Sequence, residues 1–150
     1  MTKINQAPVY VRAANVMTMT LLRAGVKLKG TGKYPMYLLT VRGRKIGQPR
    51  TVPLAIWEHN GERYVGSVYG IVDWVRNLRA AGEAILTRGR RAETVNVREL
   101  PQGEAALVLR EDIKGGNPFA RSYGVTADSS LEEFERAAAS HPVFLLQSVV

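Results

Sequence analysis

One hundred and fifty residues, 45% of them hydrophobic, are enough for one domain that buries roughly 70% of its unfolded-chain surface. The chain has no Cys, which excludes disulfides, thiolate metal sites and cysteine nucleophiles. Its two His, His59 and His141, lie too far apart in sequence to suggest an imidazole-built metal centre. The charge is lopsided: residues 1–50 hold ten of the 21 Lys and Arg and none of the 13 Asp and Glu. That third of the chain calls for an anionic partner.

The first predicted element is a helix over residues 8–24. Val9, Ala13, Val16, Met17, Leu21 and Ala24 follow helical spacing, Arg12, Asn15 and Arg23 share the opposite stripe, and Gly25 is placed to end it. Such a helix either packs against the rest of the fold or lies as a cationic helix on an anionic membrane surface. The longest apolar stretch, Ala13 to Leu22, is too short to span a bilayer and carries no signal-peptide cleavage pattern. The expected location is therefore the cytoplasm, with peripheral contact at the inner membrane surface through residues 8–24 as an option.

Strands follow. Tyr34 to Arg42 and Arg50 to Glu58 flank the loop Gly43-Arg44-Lys45-Ile46-Gly47-Gln48-Pro49, and His59-Asn60-Gly61-Glu62 turns the chain into a third strand, Arg63 to Val68. These three read as an antiparallel meander. Asp73 is placed to cap a short helix with Trp74, Leu78 and Ala81 inward and Gly82 at its end. Strands at 84–87 and 91–100 flank Arg88-Gly89-Arg90. Pro101 opens a helix through Asp112, and Phe119–Gly124 forms a turn or short helix. Ser129 with Glu132 suggests a capping box for a helix through Ala139, and residues 143–150 form a last apolar strand. The fold class expected is α+β, a small antiparallel β-barrel with packed helices in a single domain over 1–150. Residues 34–100 would supply the main strands and one short helix, and 101–150 the remaining helices and final strand.

Hydrolytic machinery is missing. There is no G-x-S-x-G elbow, His59 falls in a turn, and His141 before Pro142 suits a helix terminus. No helix-turn-helix or zinc-finger spacing points to nucleic acid. An enzyme built on this chain would borrow its chemistry from an organic cofactor. The loop after the first strand is the strongest local signal. Gly43 and Gly47 permit a tight turn and close backbone approach, Arg44 and Arg50 offer planar forks, and Lys45 adds a point charge, so the loop is either an anion site or a solvated basic tip.

The run Leu38-Leu39-Thr40-Val41-Arg42-Gly43-Arg44-Lys45-Ile46-Gly47-Gln48-Pro49-Arg50-Thr51-Val52-Pro53-Leu54, the helix start Trp74-Val75-Arg76-Asn77-Leu78, and the tail from Ala127 through His141-Pro142-Val143-Phe144 resemble the deazaflavin-dependent nitroreductases. That resemblance implies a split β-barrel of the FMN-binding type and a reductase using coenzyme F420, an 8-hydroxy-5-deazaflavin with a phosphodiester and an acidic tail. It implies that Arg44, Lys45, Gly47 and Arg50 meet the anionic part, and that Val52, Pro53 and Leu54 lie beside the flat head. Ser67, Val68, Tyr69 and Gly70 would form the opposite lip, with Trp74 and Asn77 as an aromatic wall and an amide toward the phosphate. Tyr123 and Tyr69 are the candidate catalytic groups, donating a hydrogen bond or proton to a small hydrophobic, electron-poor acceptor such as a quinone, enone or nitro compound. The segment from Tyr69 to Asp73 is shorter than the Gly-rich loop usual in the family. FMN is the alternative cofactor, a non-enzymatic lipid or cofactor carrier the alternative function, and a homodimer one option for an assembly the sequence leaves open.

Overall fold

The computed structural model describes residues 34–149; the helix expected over 8–24, with its membrane-facing option, lies outside them. Seven strands and four helices follow in chain order: β1 (Met36–Arg42), β2 (Pro49–Ala55), β3 (Trp57–His59), β4 (Glu62–Gly66), α1 (Asp73–Ala81), β5 (Glu83–Arg88), β6 (Arg91–Glu99), α2 (Gln102–Lys114), α3 (Ala120–Tyr123), α4 (Leu131–Ser140) and β7 (Val143–Ser148). The strands form one antiparallel sheet in the order β2-β1-β5-β6-β7-β4-β3.

The expected three-strand meander is not formed. The apolar run from Arg50 to Glu58 breaks at Ile56, and its halves lie at opposite edges of the sheet, β2 on β1 and β3 on β4. Ile56 is buried in the sheet's concave interior and its N–H donates to the Pro35 carbonyl at 3.1 Å, outside either ladder. One continuous chain therefore crosses from the first edge to the last. The sheet curls into a barrel whose two edges do not pair, which makes this an α+β split barrel. Pro49 and Pro53, which cannot donate to a neighbouring strand, sit in an edge strand as their chemistry requires.

Alternation along the strands divides the apolar residues into two cores. Leu39, Val41, Val65, Leu86, Val95, Phe144 and Leu146 fill the barrel, with Val75 and Leu78 of α1 packed among them. Trp57, Val143 and Leu145 meet α2 and α4 through Ala106, Leu109 and Phe134 in the other. The hairpin at Asn60-Gly61, both with positive φ, turns as the sequence predicts.

Two caps differ from expectation. Asp73 is the first residue of α1 rather than its cap, because its carboxylate turns to Arg44 and Arg76, 3.5 Å from each. At α4 the cap is Ser130, whose hydroxyl accepts from the Glu133 N–H at 3.2 Å, since Ser129 Oγ is already used by the Thr126 N–H at 2.9 Å. Gly82 ends α1 in the left-handed conformation, with its N–H on the Leu78 carbonyl at 2.9 Å. Among the described residues no helix is long and apolar enough to cross a membrane.

Candidate functional site

The opening between the unpaired sheet edges is a cleft of about 750 Å³, a size that suits a cofactor-sized ligand. Thr51, Val52, Pro53, Leu54 and Ala55 all border it. Alternate residues of a strand point to opposite faces, so five in succession can border one cleft only if the strand presents its edge. The free backbone edge of β2 is thus one wall. Trp57 of β3, Gly66 of β4 and Val68 and Tyr69 beyond it border the cleft as well.

At one end stands the loop between β1 and β2. Its bend is closed by the Gly43 N–H on the Gln48 carbonyl at 2.7 Å and the Gly47 N–H on the Gly43 carbonyl at 3.0 Å, with Gly47 at φ +74°. A Cβ on Gly43 would stand 2.9 Å from the Gln48 oxygen and 3.4 Å from the Arg50 side chain, so only glycine lets Arg50 lie across the bend. The loop is tied to α1 by Asn77, which is 5% exposed. Its Oδ1 accepts from the Arg44 backbone N–H at 3.1 Å and from Arg44 Nη1 at 2.8 Å. Arg44 Nη2 also lies 3.5 Å from Asp73. Part of the Arg44 charge is therefore committed within the protein, whereas Lys45 and Arg50 make no ion pair among the described residues.

The other end is phenolic and aromatic. Tyr34, Asn117, Phe119 and Tyr123 border it. The Tyr34 hydroxyl donates to Asp112 Oδ1 at 2.6 Å, Asn117 Nδ2 donates to the second Asp112 oxygen, and Asn117 Oδ1 accepts from the Phe119 N–H at 2.7 Å. Burial and the Asp112 carboxylate raise the Tyr34 pKa, so the phenol stays a donor. Tyr123 is 4% exposed, and its hydroxyl makes no hydrogen bond among the described residues. Burial chiefly, then the nearby Asp112 carboxylate and Tyr34, hold its pKa above the ordinary value of 10. That hydroxyl fits against the strand because Gly66 has no side chain; a Cβ there would collide with it and stand 3.2 Å from the Trp57 ring. The Trp57 indole N–H is buried without a partner among the described residues.

Of the positions predicted from sequence, Arg44, Lys45, Arg50, Val52, Pro53, Leu54, Val68, Tyr69, Trp74, Asn77 and Tyr123 border this one cleft. Gly47, Ser67 and Gly70 do not. Ser67 is buried beneath the lip, its hydroxyl donating to the Gly70 carbonyl, and Gly70 supplies the positive φ that turns the lip toward α1. Trp74 is half-buried and serves two surfaces, packing on Phe144 at 6.0 Å between ring centroids while also bordering the cleft. Sequence reasoning missed Tyr34, Trp57, Gly66, Asn117 and Phe119. Gly66 carried a usable signal, since a lone glycine inside a strand pattern marks close approach of another group. Trp57 is brought in by the break that sends β3 to the far edge of the sheet, Tyr34 by the segment just before β1, and Asn117 and Phe119 by the loop after α2, none of which a local pattern records.

The sequence pattern of the F420H(2)-dependent quinone reductase family matches residues 11–131, from within the basic first third to the start of α4. The chain belongs to this family. It is accordingly an F420-dependent oxidoreductase, which agrees with the deazaflavin resemblance of its loop and helix motifs. Among solved structures, a chain described as a domain-swapped dimer is 23% identical, with 92% of this chain and 97% of that one covered at a TM-score of 0.56. An F420H2-dependent reductase, FDR-A, is 23% identical over 79% of this chain and all of that one, with a TM-score of 0.54. A candidate 5-nitroimidazole antibiotic resistance protein from Bacteroides thetaiotaomicron is 14% identical over 79% and 75% of the two chains, with a TM-score of 0.53. At these identities the likeness establishes the split barrel alone. No curated protein matches significantly.

Proposed function

We propose that this reductase seats the acidic, phosphate-bearing part of F420 on the loop carrying Lys45 and Arg50, with the flat head along the β2 edge. An electron-poor carbonyl acceptor of the quinone type would then be met by the Tyr123 hydroxyl. The polarity of the cleft carries this reading: at one end stand cations with no ion-pair partner among the described residues, at the other a phenol with no hydrogen-bond partner among them, and a backbone edge with apolar side chains lies between. The residues present suit the cofactor. Lys45 and Arg50 match its negative charge, Gly43 lets a phosphate approach the backbone, and Val52, Leu54 and Trp74 match an aromatic ring.

When bound in its reduced form, the deazaflavin supplies the hydride. The chain's own task is to bind, orient and exclude water. Lys45 and Arg50 hold the anionic end. Arg44, fixed by Asn77 and Asp73, orients the loop and contributes the remainder of its charge. Thr51 to Ala55 offer edge N–H and C=O groups to polar ring atoms. Tyr123 holds its proton at Oη throughout, because its raised pKa disfavours the phenolate, so it stabilises negative charge on the acceptor oxygen by donating a hydrogen bond. Tyr69, 45% exposed at the rim, is the second candidate donor and is placed to touch an acceptor as it enters. Two copies associating into a homodimer is supported by the similar chain described as a domain-swapped dimer, and light scattering tests it.

Titration with F420, FMN and FAD, followed by quenching of each cofactor's fluorescence, tests the assignment. F420 should bind tightest, with turnover of quinones by the reduced cofactor. Preference for FMN would overturn the deazaflavin seat, and absence of binding by all three would favour a carrier.

A further inference from the structure

His141 lies outside the cleft, yet it touches both structures that shape the cleft's inner end. Its Nδ1 is 2.9 Å from the Ser67 carbonyl oxygen. A carbonyl only accepts, so Nδ1 carries the hydrogen and the tautomer is fixed. Its ring meets the Tyr123 ring edge-on, with centroids 5.2 Å apart and planes at 79°, a favoured aromatic geometry. The backbone reinforces the same junction, since the Ser67 N–H donates to the Pro142 carbonyl at 2.9 Å and the His141 N–H closes α4 on the Ala137 carbonyl at 2.9 Å.

Tyr123 belongs to a four-residue helix with no side-chain cap, and its hydroxyl has no partner among the described residues. The ring is buried in the core between the sheet, α2 and α4, and two contacts set where its hydroxyl end stands: the hydroxyl rests in the gap left by the absent Gly66 side chain, and the ring rests on His141. Gly66 and Ser67 are consecutive, and His141 is bonded to Ser67. The imidazole therefore ties the strand end that receives the hydroxyl to the ring that carries it.

We propose that His141 is a positioning residue for the reduction, acting through Tyr123 by holding the phenol hydroxyl at the inner end of the cleft. This inference rests on the reading of Tyr123 as the group that meets the acceptor. It assigns no proton transfer to the imidazole. Two substitutions separate its functions. His141→Asn keeps a donor where Nδ1 stands, and with it the tie to Ser67, but removes the ring. His141→Phe keeps the ring and removes the tie.

A double-mutant cycle tests it, with F420 affinity, melting temperature and steady-state quinone reduction measured for each protein. Tyr123→Phe should lower kcat. His141→Asn should lower kcat about ten- to a hundredfold, the effect of misplacing a reacting group, while F420 affinity stays within about twofold because the cationic end is untouched. Added to Tyr123→Phe, His141→Asn should cost nothing further in kcat, since the hydroxyl it positions is gone. His141→Phe should retain kcat within about threefold while melting lower through the lost hydrogen bond; it carries the test if the Asn variant does not fold. An equal kcat loss from His141→Asn with and without Tyr123→Phe overturns the positioning role while leaving the Tyr123 reading in place. So does a deep kcat loss in His141→Phe that persists when Tyr123→Phe is also present. Unchanged turnover in Tyr123→Phe overturns the Tyr123 reading and this inference with it.

Discussion

Asn77 offers the sharpest perturbation of the cationic end, because one buried amide oxygen accepts both the Arg44 backbone N–H and its guanidinium. Asn77→Ala removes both hydrogen bonds. A neutral bond of about 1 kcal/mol and a charged one of about 1.5–3 kcal/mol set the ceiling. The guanidinium can turn to water and to Asp73, so about 2 kcal/mol is the expected loss of stability. For a chain of this length that corresponds to a melting temperature lower by roughly 4–8 °C. With the loop no longer tied to α1, ordering it on binding should cost about 1 kcal/mol more, or about fivefold in F420 affinity. Asn77→Asp separates tethering from charge. Its carboxylate keeps both acceptor contacts, so the protein should melt no lower than the parent, yet it places a second negative group beside Asp73 at the mouth. F420 affinity should fall about tenfold, and more steeply at low salt. Differential scanning fluorimetry and F420 quenching titrations at two salt concentrations read these effects. Parental F420 affinity in Asn77→Asp would show that the anionic end of the cofactor lies elsewhere, and a parental melting temperature in Asn77→Ala would show that the tether bears no load.

Lys45→Ala with Arg50→Ala should weaken F420 binding by about ten- to thirtyfold and flatten its salt dependence with little change in melting temperature, because neither side chain has an ion-pair partner among the described residues. Gly43→Ala should lower F420 affinity and melting temperature together, since its Cβ would stand 2.9 Å from the Gln48 oxygen that closes the bend; an unchanged affinity would refute the need for a bare backbone there. On the alkaline side, Tyr123 keeps its proton in the folded protein above the ordinary value of 10. Its contribution is complete below that pH and is lost as pH rises through the higher folded value, at up to about 1.4 kcal/mol per pH unit. Thermal melts in alkaline buffers should show that slope in the parent and a shallower one in Tyr123→Phe. On the acid side, the hydrogen bond from Arg63 holds the Glu93 pKa below its ordinary 4.5. That contribution is present above the ordinary value and lost as pH falls through the lower one, so Glu93→Gln should flatten the acid limb of the same melts.

The cationic end was legible because everything that makes it is consecutive: two glycines that let the chain turn, three bases, and strands on either side to fix where the turn begins and ends. The Trp74 and Asn77 pair was legible for a similar reason, as positions three apart on a helix face one way, and both border the cleft. Tyr123 was reached through family resemblance rather than local pattern, and its setting was not readable in advance. The hydroxyl depends on Gly66, which is remote in sequence and meaningful only once β4 and α3 are packed together. The capping box at α4 shows the limit at the finest scale. Ser129 and Ser130 are each followed three residues later by a Glu, and the choice between them is made by the Thr126 N–H, which captures Ser129 first.

The meander that did not form explains why a cleft exists at all. Had Arg50 to Glu58 remained one strand, β1, β2 and β4 would lie side by side and no free edge would face a ligand. The break at Ile56 sends the second half of the run to the far side of the sheet, and burying that isoleucine inside the barrel stabilises the crossing. The result is two unpaired edges facing one another, a polar backbone lining that β-rich proteins elsewhere must cover or charge. Here it remains available to a flat ring with hydrogen-bonding atoms at its rim. Local strand propensity predicts extended chain on both sides of Ile56 and is correct about each half. What it cannot register is that the halves pair with different partners, because that depends on where β1 and β7 already lie. The binding surface is thus a property of sheet order, and the residues that recognise the cofactor inherit their placement from it.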